Sequence, residues 1–273
     1  MGIAETQPTQ PSGAEGREGP FRHLRLEREG SLRRLILDRP PLNVLDIPML
    51  RELDQAAAQV QADPAAAVLV VTGAGKAFCA GVDVADHTED RVGEMIEVFH
   101  AALKRLLSLE LPVVAVLNGA ALGGGLEVAL ACDIVLAREG AKLGQPEIQL
   151  GVFPPFAAVV LPRLIGRARA MDLCLTGRTL TAEEGQALGV VQHVFPKDSF
   201  ADDTNRYVAA LAALSPPVLR LTKRAVAEGG VAPLGEALDA VEHMYLDDLM
   251  KLEDAREGLA AFLEKRPPVW KGA

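Results

Sequence analysis

The sequence predicts an α/β fold, with a β-rich front half followed by a helical back half. Three observations carry this. AAAVLVVTG (65–73) and LPVVAVLNG (111–119) are unbroken apolar runs of strand length, the pattern of strands buried on both faces. Segments of helical spacing stand between such runs, as crossover helices between parallel strands would. Past about residue 155, helical patterns separated by Pro or Gly take over.

In order along the chain, FRHLRLERE alternates apolar and polar, Gly30 and Ser31 turn it, and LRRLILD returns, which predicts a β-hairpin. Residues 46–62 have helical spacing with Asp46 as N-cap. The strand at 65–73 is followed by a helix over 89–109 with Thr88 as candidate cap, then by the strand at 111–119. VALACDIVLA (128–137) reads as a helix end running into a third strand. Helices are expected at 181–188, 199–213, 217–229, 234–250 and 252–265, with a short strand near 190–195. Without an internal repeat or a long linker, this predicts one domain with a helical extension. Residues 1–20 are polar and Pro/Gly-rich and resemble neither a secretory signal nor a transit peptide; they read as a disordered tail.

Composition narrows the function. With 49% apolar residues in 273, the chain has ample material for a core. No apolar run reaches the roughly 18–20 residues of a membrane span. Lys and Arg number 28 against 37 Asp and Glu, and a net charge of −9 argues against a nucleic-acid surface. Cys79, Cys132 and Cys174 show no CxxC spacing, which argues against a disulfide scaffold or zinc site and suits a reducing compartment, the cytoplasm.

The densest chemical signal is NGAALGGGLEVALACD (118–133). Gly123 to Gly125 let backbone approach a ligand closely, and the first N–H groups of the helix they open have no intrahelical partner. Such a place suits developing negative charge, although a tight strand-to-helix turn would use the same residues. Glu127 falls just inside that helix, and Glu147 follows in LGQPEIQLG. Each alone has a bland explanation, as dipole compensation or a solvated loop residue; together they form a candidate acid–base pair facing an oxyanion site. A second backbone-rich stretch, GAGKAFCAGVD (73–83), carries small residues at Ala80 and Gly81, and Lys76 is either a phosphate contact or a surface lysine. It is not a phosphate loop, because Lys76 precedes Ala77 and Val70 stands where the first glycine belongs. No histidine pair has metal-ligand spacing, so no metal is expected; His87 is the one histidine beside the candidate site. The absence of GxSxG leaves nucleophilic acyl transfer without support.

These segments resemble the crotonase, or enoyl-CoA hydratase/isomerase, superfamily from about Phe21 to Gly272. The likeness rests on LNVLD (42–46), KAFCAGVD (76–83), NGAALGGGLEVALACD, LGQPEIQLG (143–151), LPRLIGRARAMDLCLTGR (161–178) and EGLAAFLEKRPPVWKG (257–272). It implies a ββα-superhelix (spiral) core over 21–200 and a C-terminal helical trimerisation region over 201–273, giving a homotrimer or dimer of trimers. It also implies an acyl-CoA thioester substrate and no cofactor, since CoA is part of that substrate. The thioester oxygen would be held by the backbone N–H groups of Val82 and Gly124. Glu127 would activate water and Glu147 would protonate Cα. Ala80, Gly81 and Asp83 would border the CoA, with Phe262 and Lys265 holding that of a neighbouring subunit.

Where similar proteins carry a glycine-rich run after this motif, the chain has Pro154-Pro155-Phe156-Ala157-Ala158. With His87, Pro155 and Phe156 are expected to shape the acyl pocket. GVFPPFAA, GVDVADHT and EMIEVFH are similar to the cyclohexa-1,5-diene-1-carbonyl-CoA hydratases. The expected function is hydration of the C2=C3 bond of an unsaturated acyl-CoA, with cyclic and branched acyl groups included. A Δ3,Δ2-enoyl-CoA isomerase and a methylglutaconyl-CoA-type hydratase are the alternatives; a non-catalytic interaction protein is disfavoured by the charge and the intact glutamate pair.

Overall fold

The computed structural model describes residues 20–230 and 232–273. The tail expected at 1–20 lies outside the described residues apart from Pro20. The chain opens with the expected hairpin: β1 (Leu24–Glu29) and β2 (Leu32–Leu37) pair antiparallel, Leu24 opposite Leu37. α1 (Ile47–Gln61) follows, with Asp46 accepting from Met49 N–H at 2.9 Å as its cap.

From there the chain winds in ββα turns. β3 (Val68–Gly73), β4 (Ala77–Cys79) and α2 (Val92–Ser108) make one turn. β5 (Val113–Leu117), β6 (Ala120–Leu122) and α3 (Gly124–Leu130) make the next, and β7 (Ile134–Arg138) and β8 (Lys142–Gly144) begin a third. It continues through α4 (Ala157–Ile165), α5 (Arg167–Thr176), β9 (Thr179–Thr181), α6 (Ala182–Leu188) and β10 (His193–Phe195). The last part is helical: α7 (Phe200–Ala212), α8 (Pro216–Gly229), α9 (Leu234–His243) and α10 (Glu253–Glu264).

The first strand of each turn joins a six-stranded sheet, ordered β1-β2-β3-β5-β7-β10 and parallel from β2 onward. The second joins a four-stranded sheet, β4-β6-β8-β9. This is the spiral α/β fold the resemblance implied. The large sheet is covered on both faces, which is why its strands read as unbroken apolar runs. Leu69, Val71, Val113 and Ala115 enter the main core with α1 and α2; Val68, Val70, Val114 and Val116 pack toward Val208 and Leu211 of α7.

Three expectations are corrected. α2 begins at Val92, not 89, and Thr88 is not its cap: Thr88 closes a 3-10 turn, Val84–His87, and its carbonyl accepts from Arg91 and Val92 N–H. The segment 234–250 is not one helix, since α9 ends at His243 and a π turn (Met244–Asp248) and a 3-10 turn (Leu249–Lys251) follow. His23 lies just before β1 rather than in a strand. Among the described residues no helix is long and apolar enough to cross a membrane.

Candidate active site

The turns between strands and helices meet at a cavity of about 560 Å³. One wall is Ala80, Gly81 and Val82, leaving β4. These residues run beside residues 42–45: Ala80 N–H donates to Leu42 O (3.0 Å), Leu45 N–H to Gly81 O (2.9 Å) and Asp83 N–H to Leu45 O (2.8 Å). Leu45 and Val82 thus form a single parallel bridge. In such pairing the partner residue's own N–H points away from the neighbouring chain, so Val82, which lines the cavity, turns its amide away from Leu45. Asn43 fastens the arrangement. It is buried, its amide donates to Ala74 O (3.0 Å), Ala77 O (2.9 Å) and Phe78 O (3.1 Å), and its φ of +56° is one that Asn tolerates.

The second wall is the start of α3. Gly124 is its first residue, so its N–H lacks an intrahelical partner by position. The three glycines are required by space. A Cβ on Gly124 would come within 2.6 Å of Val82 Cγ2, and one on Gly125 within 2.3 Å of Cys79 O. Gly123 has φ +52°, and a Cβ there would meet Glu147 Oε1 at 2.7 Å.

Glu127 and Glu147 line the same cavity, one from α3 and one from the 3-10 turn Pro146–Leu150. Glu127 is 2% exposed, and its Oε1 accepts from Ala157 N–H, at the start of α4, at 2.7 Å. Burial pushes its carboxyl up to about 7; the Ala157 N–H opposes this and the neighbouring charge of Glu147 adds to it. Glu147 is half-buried, and desolvation raises it as well, against its own N–H and the electrostatic effect of His87. Gln145 is fully buried, and with its amide nitrogen toward Glu147 it donates to both carboxylate oxygens, at 3.0 and 3.1 Å.

The third wall is the face of α2 made by Val92, Met95, Ile96 and Phe99, spaced i, i+3, i+4, i+7. His87 and Pro155 also line the cavity. Phe156 does not: it is the residue before α4 and packs on the main core. Asp83 stands outside as well, its carboxylate accepting from Ala85 N–H (3.1 Å) and facing Arg39 (3.4 Å). Phe262 and Lys265 lie away from the cavity, on α10 and at its exposed end, and Lys76 is an exposed loop residue. Sequence reasoning missed Gln145, Asn43 and the Ala157 amide. Gln145 was within reach as the polar residue two before Glu147; a backbone donor leaves no trace in residue type. Among the described residues no group of three or more His, Cys, Asp or Glu is arranged to hold a metal.

Two carboxylates raised by burial line one apolar cavity together with Val82 and Gly124, and such a pair is equipped to move protons. Comparison with known proteins gives the family. A cyclohexa-1,5-dienecarbonyl-CoA hydratase of Thauera aromatica is 39% identical over 246 residues, covering 90% of this chain and 95% of that protein. A short-chain-enoyl-CoA hydratase of Clostridium acetobutylicum is 33% identical, covering 88% and 94%. The crystal structure of an enoyl-CoA hydratase from Bacillus anthracis superposes with a TM-score of 0.88 at 32% identity, over 92% of this chain and all of that one. The sequence model described as enoyl-CoA hydratase/isomerase matches residues 27–273, nearly the whole ββα spiral and its helical end, and the chain belongs to that family.

Proposed function

We propose that this enzyme, a hydro-lyase by its family, adds water across the C2=C3 bond of an unsaturated acyl-CoA, with Glu127 and Glu147 as its acid–base pair. The observation that carries the reading is the pair itself: two raised carboxylates lining one cavity, which Val82 and Gly124 also line. In this reading the thioester oxygen accepts from the Val82 and Gly124 N–H groups. Ionised Glu127 takes a proton from the water whose oxygen bonds to C3, and protonated Glu147 gives its proton to C2. Negative charge gathers on the thioester oxygen meanwhile, and each fixed amide aimed at it is worth about 3 kcal/mol. Glu127 ends protonated and Glu147 ionised, and proton exchange with solvent resets them.

A cyclic or branched acyl group suits the broad apolar face of α2 and the Pro155 ring opposite the glutamates. The identity to a cyclohexadienecarbonyl-CoA hydratase points the same way. The reading includes a homotrimer or dimer of trimers in the cytoplasm, with Phe262 and Lys265 of one subunit reaching a neighbour's CoA. Support for this lies in the exposed apolar residues Val226, Leu234 and Leu238 of α8 and α9, and Phe262 of α10.

The test is conversion of a panel of acyl-CoA thioesters, crotonyl-, 3-methylcrotonyl-, 3-methylglutaconyl-, cyclohexenoyl- and cyclohexadienoyl-CoA, in H₂18O. Gain of one labelled water is expected, and it is expected to fall at least a hundredfold in Glu127→Gln and in Glu147→Gln while both stay folded. A product of unchanged mass would show isomerisation instead.

A further inference from the structure

Besides the two glutamates, His87 is the polar side chain that lines the cavity. Its ring is held in a fixed place. The turn that carries it is anchored by Asp83 at its start, and by Asp86, a buried carboxylate that accepts from Ile47 N–H (3.0 Å) and pairs with Arg91 (2.7 Å). His87 Nδ1 lies 3.0 Å from Asp83 O. A carbonyl only accepts, so Nδ1 carries the hydrogen, and in the neutral imidazole Nε2 is then a bare acceptor. Among the described residues Nε2 has no hydrogen-bond partner.

The acceptor shares the cavity with Val84 of its own turn and with Val92 and Ile96 of α2. Water serves it while the cavity is open. A bound hydrocarbon acyl group displaces that water and leaves the nitrogen unpaired, which disfavours binding. An acyl group that brings a donor avoids the loss, and a site built to bond a hydroxyl discriminates strongly against the analogue lacking one.

We propose that His87 is a specificity-determining residue, whose Nε2 accepts a hydrogen bond from a hydroxyl carried on the acyl group and so selects hydroxylated acyl-CoA thioesters over their plain counterparts. The inference rests on the acyl-CoA reading of the cavity, but not on the roles given to the two glutamates.

The experiment compares binding of thioesters that cannot be hydrated or dehydrated: 3- and 4-hydroxycyclohexanecarbonyl-CoA against the matching methyl compounds, by titration calorimetry. For at least one ring position the wild-type protein is expected to favour the hydroxyl member by about tenfold. His87→Leu is expected to abolish or invert that preference. His87→Gln keeps an acceptor at similar reach and is expected to retain part of it, which separates loss of the hydrogen bond from damage to the turn. A wild-type preference for the methyl members, or a hydroxyl preference that survives in His87→Leu, would overturn the assignment while hydration of an enoyl-CoA left the proposed function intact. Failure of the wild type to bind any of the four, together with no hydration of the enoyl-CoA panel, would overturn both.

Discussion

Gly123 and Glu147 claim the same piece of space: a side chain on residue 123 would begin 2.7 Å from the Glu147 Oε1 atom. A side chain at residue 123 would therefore make the carboxylate shift. The backbone there, φ +52° and ψ −130°, is also one that only glycine adopts without strain.

Gly123→Ala is accordingly expected to act twice. Backbone strain costs stability on the order of 1–3 kcal/mol. Displacement of Glu147 by an ångström costs turnover about a hundredfold, measured at a temperature where the variant is fully folded. An alanine variant with wild-type turnover would show that the Glu147 carboxylate does not have to stay beside residue 123.

The raised carboxyl of Glu127 gives two pH dependences of opposite sense. In the proposed role as base Glu127 must be ionised, so kcat/KM for hydration is expected to rise with pH toward about 7 for as long as Glu147 keeps its proton. Stability runs the other way. Between the ordinary glutamate value near 4.5 and about 7 the folded protein holds a proton that the unfolded chain releases. The group's favourable contribution is therefore complete below that ordinary value and is lost as pH climbs through about 7. Glu127→Gln stays neutral throughout and is expected to exceed the wild type in stability at pH 8.5, by on the order of 2–3 kcal/mol, with the gap closing toward pH 4. Denaturant midpoints across that range would show it; a gap independent of pH would mean that Glu127 titrates as an ordinary carboxylate.

Gln145 orients Glu147 without touching the substrate cavity. Gln145→Leu, close in volume, removes the donor to both carboxylate oxygens. In the proposed reaction Glu147 becomes ionised as it gives up its proton, and a hydrogen bond to an ionised group is worth about 1.5–3 kcal/mol, so turnover is expected to fall roughly ten- to a hundredfold. KM should change little, because nothing in the substrate's path moves. A purely structural role would instead lower the melting temperature and leave the kcat of the folded enzyme near wild type.

Much of this was legible in the sequence, and what escaped did so for physical reasons. The hairpin, α1 with its Asp46 cap, and the buried strands β3 and β5 announce themselves through periodicity and through burial on both faces. The strands of the second sheet do not: β4, β6, β8 and β9 have three residues each, too few for alternation to register. α4 and α5 were obscured by Pro162 inside the first and Gly166 between them. At the site, Glu127 and Glu147 stood out by residue type, and the structure brings them together at the cavity. Phe156 was expected there too, but the first turn of α4 sends its ring into the core and leaves Pro155 at the wall.

The single bridge between Leu45 and Val82 makes the cavity wall a matter of parity. Along an extended strand, odd and even amides face opposite ways. A bridge re-formed one residue along would turn the amide of Val82 toward Leu45 and that of Gly81 or Asp83 away from it. Insertions and deletions are therefore tolerated unequally along the chain. An extra residue in the turn between α1 and β3 leaves the bridge intact, whereas one between Ala80 and Asp83 exchanges one amide for another while preserving every residue type around it. Chain length at that point is part of the active site's specification, as much as any side chain in it.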